Sequence, residues 1–191
     1  MAKVILQKEE KVLRQKAKEV PVPEIVTPKI QKIISEMKEA LQSQDDGVAI
    51  AAPQIGYSLR IFVVSKKVEE IVTEAKMEAL GISREIIESE TKKINGKDLV
   101  FINPVIKKLS KERKNVEEGC LSVRYLYGKV KRSLKATVEA VDENGKKFQR
   151  GGTGLMAQIF QHEIDHLDGI LFIDKATNVE EIPPEITKNK K

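Results

Sequence analysis

The clearest sign of chemistry in the sequence is the segment His162-Glu163-Ile164-Asp165-His166, which follows the pattern H-E-x-x-H. On a helix, two imidazoles four residues apart lie on one face and can bind a single metal ion. Glu163 is poorly placed to bind the metal with them, but it is well placed to handle the proton of an attacking water molecule. The chain has two histidines, and both lie in this pattern, which favours a metal site over structural histidines.

A catalytic metal site of this type needs a third protein ligand, so that a further position stays open for water. In one group of metallopeptidases with this motif the ligand is a downstream glutamate, which points to Glu180, Glu181 or Glu185. These glutamates lie in a charged segment interrupted by proline, with no helical pattern to orient them. The other source is Cys120, the single cysteine, which is framed by Glu-Glu-Gly before it and Leu-Ser after it. The framing favours Cys120.

Three segments of the chain carry a resemblance to a known family. Residues 47–56 read GVAIAAPQIG, residues 118–122 read EGCLS, and residues 161–169 read QHEIDHLDG. In content and order they resemble the peptide deformylases, which remove the formyl group from the N-terminal methionine of new bacterial and organellar chains. Weaker similarity at 12–14 and 170–174 extends the resemblance over the chain, apart from 66–97 and the tail.

The resemblance implies a role for each matching position. The metal ligands would be Cys120, His162 and His166. Glu163 would be the general acid and base, while the Gln54 side-chain amide and the Leu121 backbone N–H would donate to the formyl oxygen. The chemistry needs such donors, because attack on a formamide creates an oxyanion, and one preorganised donor is worth about 3–4 kcal/mol. The implied substrates are N-formylmethionyl peptides and nascent chains, with formate as a product.

The identity of the metal follows partly from the ligands and partly from the resemblance. A thiolate ligand favours softer ions such as Zn²⁺ or Fe²⁺ over Mg²⁺. The residues do not choose between zinc and iron. Because the family typically uses Fe²⁺, the resemblance implies one Fe²⁺ per chain, for which Zn²⁺ or another divalent metal can substitute.

An apolar pocket is expected for the methionine side chain of the substrate. Leu155 and Ile159 precede the first histidine by seven and three residues, so they share the helical face that points at the metal. Together with Val48 they would surround the unbranched thioether. Ala49 and Gly119, from the first two motifs, are expected to contact the substrate as well.

Two positions depart from the family pattern. Ala49 stands where a second glycine is usual, and its methyl group is harmless if the backbone angle there is ordinary. Residues 123–125 read Val-Arg-Tyr, whereas a proline commonly follows the second motif. We therefore expect recognition of the peptide beyond methionine to differ.

The hydrophobic periodicity predicts an α+β fold, with antiparallel sheets packed around a C-terminal helix that carries the H-E-x-x-H motif. Residues 66–97, rich in Lys and Glu, are expected to be a helical insertion between two strands. The other predicted elements are a helix over 28–43, buried strands at 61–64 and 99–102, a hairpin over 133–148 with its turn at Asn144-Gly145, a helix over about 154–167 and a strand over 170–173.

Length and composition limit the remaining possibilities. A chain of 191 residues, 40% hydrophobic and 33% charged, is expected to form a single domain over 1–191 with a flexible tail over about 177–191. The net charge of +5 does not demand specific DNA binding, and no apolar run is long enough to cross a membrane. With no signal peptide apparent, we expect a cytoplasmic protein. For the basic C-terminal end, a frayed tail is favoured over weak association with the ribosome.

Two alternative functions remain at this stage. The first is an H-E-x-x-H metallopeptidase, which would cleave internal peptide bonds and lose its metal when a downstream glutamate is changed. The second is a non-catalytic, deformylase-like metal-binding protein. The complete set of Gln54, Cys120 and Glu163 argues against the second alternative.

Overall fold

The computed structural model describes residues 2–183 of the chain. The helices are α1 (Pro28–Gln42), α2 (Lys67–Ala79), α3 (Arg84–Thr91) and α4 (Gly154–Leu167). The strands are β1 (Ala49–Ala51), β2 (Ile61–Val64), β3 (Leu99–Leu109), β4 (Arg113–Gly119), β5 (Leu126–Ser133), β6 (Lys135–Val141), β7 (Lys147–Thr153) and β8 (Thr177–Glu181). They form a five-stranded sheet in the order β1-β2-β3-β6-β7 and a three-stranded sheet in the order β4-β5-β8. Both sheets are antiparallel, which confirms the predicted fold class.

The five-stranded sheet is buried on both faces at its centre. Strand side chains alternate between the two faces, and a helix covers each face. In β2, Ile61 and Val63 belong to a cluster with α1, whereas Phe62 and Val64 belong to a cluster with α4. Phe62 stacks on Phe101 of β3 at a centroid distance of 4.4 Å. The core therefore fixes α4 against a rigid sheet, and α4 carries the H-E-x-x-H motif.

Helix α4 also contacts β5 of the smaller sheet. It begins at Gly154, as predicted, although Thr153 makes no side-chain capping hydrogen bond. It ends at Leu167, and the chain turns at Gly169 with a positive φ of 77°. The helix thus connects the two sheets and presents its residues where they meet.

The predicted insertion contains α2 and α3, which lie between β2 and β3 in the chain and pack against each other. Val68 and Ile87 are its buried aliphatic side chains. Gly81 separates the two helices with a positive φ of 71°, in agreement with the predicted break.

Two predictions near the C-terminus are wrong. The apolar run at 170–173 is not a strand, since Phe172–Asp174 form a 3₁₀ turn whose start is held by Asp174 Oδ2 accepting the Leu171 N–H at 2.9 Å. A short apolar run suits a buried turn as well as a strand, and Leu171 and Phe172 are indeed buried. The predicted flexible tail begins with a strand, because β8 pairs with β5. The remainder of that tail, 184–191, lies outside the described residues.

Within residues 2–183, no helix is both long enough and apolar enough to cross a membrane.

Candidate active site

The structure brings Cys120 next to the two histidines of α4. Cys120 follows the last residue of β4, and its Sγ lies 3.1 Å from His166 Nε2. The ligand atoms of Cys120, His162 and His166 all lie within 4.8 Å of one another. One thiolate and two imidazoles at this spacing suit a tetrahedral metal, whose bonds to such atoms are about 2.0–2.3 Å long.

The electrostatics of Cys120 also suit a metal ligand. Burial by itself raises the pKa of the thiol, but the charge of His166 and hydrogen bonds from both histidines outweigh it and lower the pKa from 9.0 to about 5. The thiolate is the form that binds metals. The donor atoms present therefore fit a soft or borderline divalent ion.

A buried network orients the first histidine. His162 Nδ1 lies 3.0 Å from Glu118 Oε2, and the Arg132 guanidinium forms two hydrogen bonds with the same carboxylate, at 2.7 and 2.9 Å. Arg132 also donates to Asp165 Oδ2 at 2.6 Å, and Lys175 donates to the other oxygen of Asp165. A carboxylate behind a metal-binding histidine fixes its ring orientation and leaves Nε2 for the metal.

This network keeps Glu118 ionised. Burial raises the pKa of Glu118, but hydrogen bonds from Arg132 and His162, together with their charges, lower it to about 2. The carboxylate can therefore accept the His162 N–H over the whole neutral range. Its charge is compensated by Arg132, so the buried group is paired.

Glu163 lies beside the cluster with an environment suited to proton transfer. Its side chain is 3% exposed, and among the described residues its buried Oε2 has no hydrogen-bond partner. Burial raises the pKa of Glu163 to about 7, despite the lowering charges of His162 and His166. A carboxyl group with a pKa near neutrality can both accept and return a proton at physiological pH.

Gln54 is held by both ends of its amide. Oε1 accepts the Ala51 N–H at 2.7 Å, while Nε2 donates to Ser122 Oγ at 3.1 Å and lies 3.6 Å from Cys120 Sγ. The side chain is buried, at 2% exposure, in the 3₁₀ turn Ala52–Ile55 that follows β1. Gln54 Nε2 thus lies between Ser122 Oγ and the sulfur of Cys120, a proposed metal ligand.

A pocket of about 300 Å³ opens onto this cluster. The residues predicted to contact substrate all line it, namely Val48, Ala49, Gly119, Leu155 and Ile159. Gln54, Cys120, Leu121, His162 and Glu163 line it too. His166 is not among the lining residues and lies behind the pocket, 1% exposed.

The two departures from the family pattern both lie at this pocket. Ala49 lies in β1 and pairs with Val64 of β2. It is not among the described non-glycine residues with a positive φ, so its methyl group causes no backbone strain. Arg124 spans the rim, where it donates to Asp46 at 2.6 and 3.3 Å and to Gln44 at 2.6 Å. Tyr125 adopts a left-handed φ of 66°. Arg124 and Tyr125 both belong to the pocket lining, and the departure from the family pattern therefore changes the surface that the peptide meets.

The glutamates of the alternative metal site lie elsewhere. Glu180 and Glu181 are exposed on β8, whereas the cluster of possible ligands found in residues 2–183 is Cys120, His162 and His166. Glu185 lies outside the described residues.

Sequence reasoning missed several residues at the site. Arg132 has a recognisable signal, because β5 alternates buried and exposed residues and Arg132 shares the inward face with Gly128 and Val130. Glu118 lies in the second motif, but its contact with His162 depends on tertiary structure. Tyr127, which also lines the pocket, gives no comparable local signal.

Comparisons with known proteins identify the relatives of the chain. The family model described as polypeptide deformylase matches residues 2–181. Peptide deformylase 2 of Clostridium acetobutylicum is 39% identical over 170 residues, covering 88% of this chain and 91% of that protein. The peptide deformylase of Halothermothrix orenii is 42% identical over 170 residues, covering 89% and 90%.

Solved structures give the same result. A peptide deformylase from Legionella pneumophila superposes with a TM-score of 0.72 and 34% identity, covering 93% of this chain and 88% of that one. One from Thermotoga maritima gives a TM-score of 0.72 with 29% identity, covering 93% and 99%. Because the agreement in sequence and structure extends over nearly the whole chain, the protein belongs to the polypeptide deformylase family.

Proposed function

We propose that the chain hydrolyses the N-formyl group of formylmethionine at the start of new polypeptides, using Cys120, His162 and His166 to hold a metal and Glu163 to transfer protons. Membership of the family makes the chain a metal-dependent hydrolase that acts on formylated nascent peptides. The observation that carries the assignment of residues is the cluster of one thiolate and two imidazoles beside a buried glutamate, at the end of a pocket.

Cys120, His162 and His166 would hold the metal, which would supply a Lewis acid able to lower the pKa of a water molecule and polarise the formyl group. Cys120 supplies an anionic sulfur, and Glu118 holds His162 so that Nε2 is free to bind. We propose Fe²⁺ as the resident ion, one per chain, with Zn²⁺ or another divalent metal able to substitute. A thiolate ligand is compatible with either Fe²⁺ or Zn²⁺.

Glu163 takes the proton of the attacking water and later gives it to the departing amine. Its Oε2 is free of partners in the described residues, and its pKa of about 7 suits both directions of transfer. Proton transfer by a positioned group contributes about 10²–10⁴ in rate.

Gln54 Nε2 and the Leu121 backbone N–H donate to the formyl oxygen as negative charge develops on it. The bond from the Ala51 N–H fixes the orientation of the Gln54 amide before the substrate arrives. Preorganised donors stabilise the transition state because they need no rearrangement during the reaction.

The pocket holds the methionine side chain of the substrate. Val48, Leu155 and Ile159 supply apolar surface, while Ala49 and Gly119 approach the peptide backbone. Several further expectations stay predictions. These are the single domain over 1–191, the cytoplasmic location, the absence of specific DNA or membrane binding, and a basic end that is frayed in preference to weak association with the ribosome.

Formate release from a formyl-Met-Ala-Ser peptide tests the proposal, with protein purified without oxygen and the metal measured on the same sample. We expect turnover with about one metal per chain. Cys120→Ala should lose both metal and activity, whereas Glu163→Gln should keep the metal and lose about 10³-fold in kcat.

The matched controls are Glu180→Gln and Glu181→Gln. They remove glutamates that could serve as the third metal ligand if the site were that of a metallopeptidase. Both should behave as wild type and leave unformylated peptides uncleaved. Bound metal without formate release, or full turnover by Glu163→Gln, would contradict the proposal.

A further inference from the structure

The N-terminal segment at residues 5–7 lies against both loops that carry the proposed oxyanion donors. Among residues 2–10, these three are the ones that are partly buried. The Leu6 N–H donates to the backbone carbonyl of Gln54 at 2.8 Å. Gln7 reaches the other loop, where its Nε2 donates to the carbonyl of Leu121 at 3.1 Å. The segment therefore joins the first motif to the second.

Gln7 uses both ends of its amide on the Leu121 loop. Besides the bond to Leu121, its Oε1 accepts the backbone N–H of Arg124 at 3.4 Å. Nε2 also donates to the carbonyl of Ile5 at 3.3 Å, which fixes the amide against its own segment. One side chain thus holds the loop at two points, three residues apart.

These contacts bear on catalysis through the orientation of Leu121. The loop starts at Cys120, a proposed metal ligand, and the next N–H, that of Leu121, is a proposed donor to the formyl oxygen. Holding the Leu121 carbonyl and the Arg124 N–H restricts the peptide groups from Leu121 to Arg124. The Leu121 N–H lies on the peptide group immediately before them and shares the Leu121 Cα with the first of them, so its direction depends on how they are held. A donor displaced by a fraction of an ångström stabilises the developing charge less well.

We propose that Gln7 is a positioning residue for the deformylation reaction, which sets the Leu121 N–H by holding the 121–124 loop from outside the pocket. Gln7 is not among the residues that line the pocket, so its effect acts through the loop. The proposal rests on the proposed function, in which Leu121 is an oxyanion donor. It predicts an effect on kcat rather than on substrate affinity.

Gln7→Met tests this, because methionine keeps the length of the side chain and removes both hydrogen-bonding ends. The matched control is Gln31→Met, since Gln31 Nε2 likewise joins two backbone carbonyls, those of Ile25 and Glu143, at 2.9 and 2.8 Å. Neither partner of Gln31 lines the pocket. Gln7→Glu separates the two contacts, because it keeps the acceptor for Arg124 but places a carboxylate against the Leu121 carbonyl.

For formate release from formyl-Met-Ala-Ser, Gln7→Met should lower kcat by about tenfold and leave KM within about twofold. Gln7→Glu should lower kcat at least as much. Gln31→Met should leave kcat unchanged even if it unfolds at lower denaturant. Equal kcat losses in Gln7→Met and Gln31→Met, or an effect confined to KM, would overturn the proposal.

A second readout is independent of turnover. Deuterium uptake by residues 120–126, followed by mass spectrometry, should be about tenfold faster in Gln7→Met and Gln7→Glu than in wild type or Gln31→Met. Unchanged uptake would overturn the proposal even if kcat fell. If wild type released no formate, the proposed function would fail, and the uptake data would still decide whether Gln7 holds the loop.

Discussion

Arg132 illustrates how a single buried residue supports the site without touching the pocket. Its side chain is 6% exposed and is paired with Glu118 and Asp165, and Glu118 in turn orients His162. Removing one partner from a buried ion pair leaves an uncompensated charge, which is far more costly than losing a surface pair. Loss of Arg132 should therefore affect both folding and metal binding.

Arg132→Met should lower the free energy of unfolding by about 3–5 kcal/mol and weaken metal affinity by about 10–100-fold. Urea titration and competition with a chelator measure the two effects. The control is Arg14→Met, which removes a half-exposed partner of Asp174 and should cost about 0–1 kcal/mol without changing metal affinity. Similar results for the two variants would show that burial of the Arg132 pair is unimportant.

At the scale of elements, α4 depends on how it ends. Gly169 N–H donates to the His166 carbonyl at 3.1 Å and Ile170 N–H to the Asp165 carbonyl at 2.9 Å, the two bonds of a Schellman motif. A Cβ on Gly169 would lie 2.9 Å from the backbone of Arg14. The end of the catalytic helix therefore needs glycine for its positive φ and for close packing against the N-terminal region.

Gly169→Ala should destabilise the protein by about 2–5 kcal/mol. One part of this cost is the strain of alanine at a left-handed φ, and the other is the clash of its methyl group with the backbone of Arg14. Gly81 offers a matched control, because it ends α2 with the same pair of bonds but has nothing within 4 Å of an added Cβ. Gly81→Ala should cost only the strain, about 1–2 kcal/mol. Urea denaturation measures the free energy of unfolding of both variants. Equal decreases would mean that the backbone at Arg14 moves away from the added methyl group without destabilising the protein.

In the molecule as a whole, an ion pair joins the N-terminal region to the 3₁₀ turn that follows α4. Arg14 donates to Asp174 at 2.5 Å, and Asp174 also accepts the Leu171 N–H. Partial burial raises the pKa of Asp174, but hydrogen bonds from Arg14 and Leu171 and nearby positive charges outweigh it and leave the pKa below 3.8. This pairing should give stability a defined dependence on pH.

Because folding lowers the pKa of Asp174, its ionisation stabilises the fold above pH 3.8 and ceases to do so as pH falls through the lower folded-state value. The difference in unfolding free energy between wild type and Asp174→Asn should therefore be constant above about pH 5 and shrink below pH 3.8. Chemical denaturation across this range measures it. A difference that stays constant down to pH 2 would rule out the lowered pKa, because a pKa that differs between the folded and unfolded states makes stability depend on pH in this range.

The local elements and the chemical groups of the site could be predicted from the amino-acid pattern. Periodicity predicted α1, α4 and the β6–β7 hairpin, because burial of one face imposes a regular spacing on apolar residues. A continuous run of β-branched and aromatic residues predicted β2. The H-E-x-x-H spacing predicted that two histidines share one face of α4. The residues that frame Cys120 favoured it as the third ligand, and the resemblance to the family then supplied the roles of Gln54 and Leu121.

Which distant residues meet follows from the three-dimensional packing of the chain. The contact of Glu118 with His162 and that of Gln7 with Leu121 join residues that are far apart in the chain, and no local pattern predicts either contact. The predictions of a strand at 170–173 and of a flexible tail at β8 were wrong for the same reason. The apolar run at 170–173 forms a turn and the charged run of β8 forms a strand, because the structure of a short segment depends on the residues that pack or pair with it. Local propensity is weak compared with the free energy of packing and strand pairing.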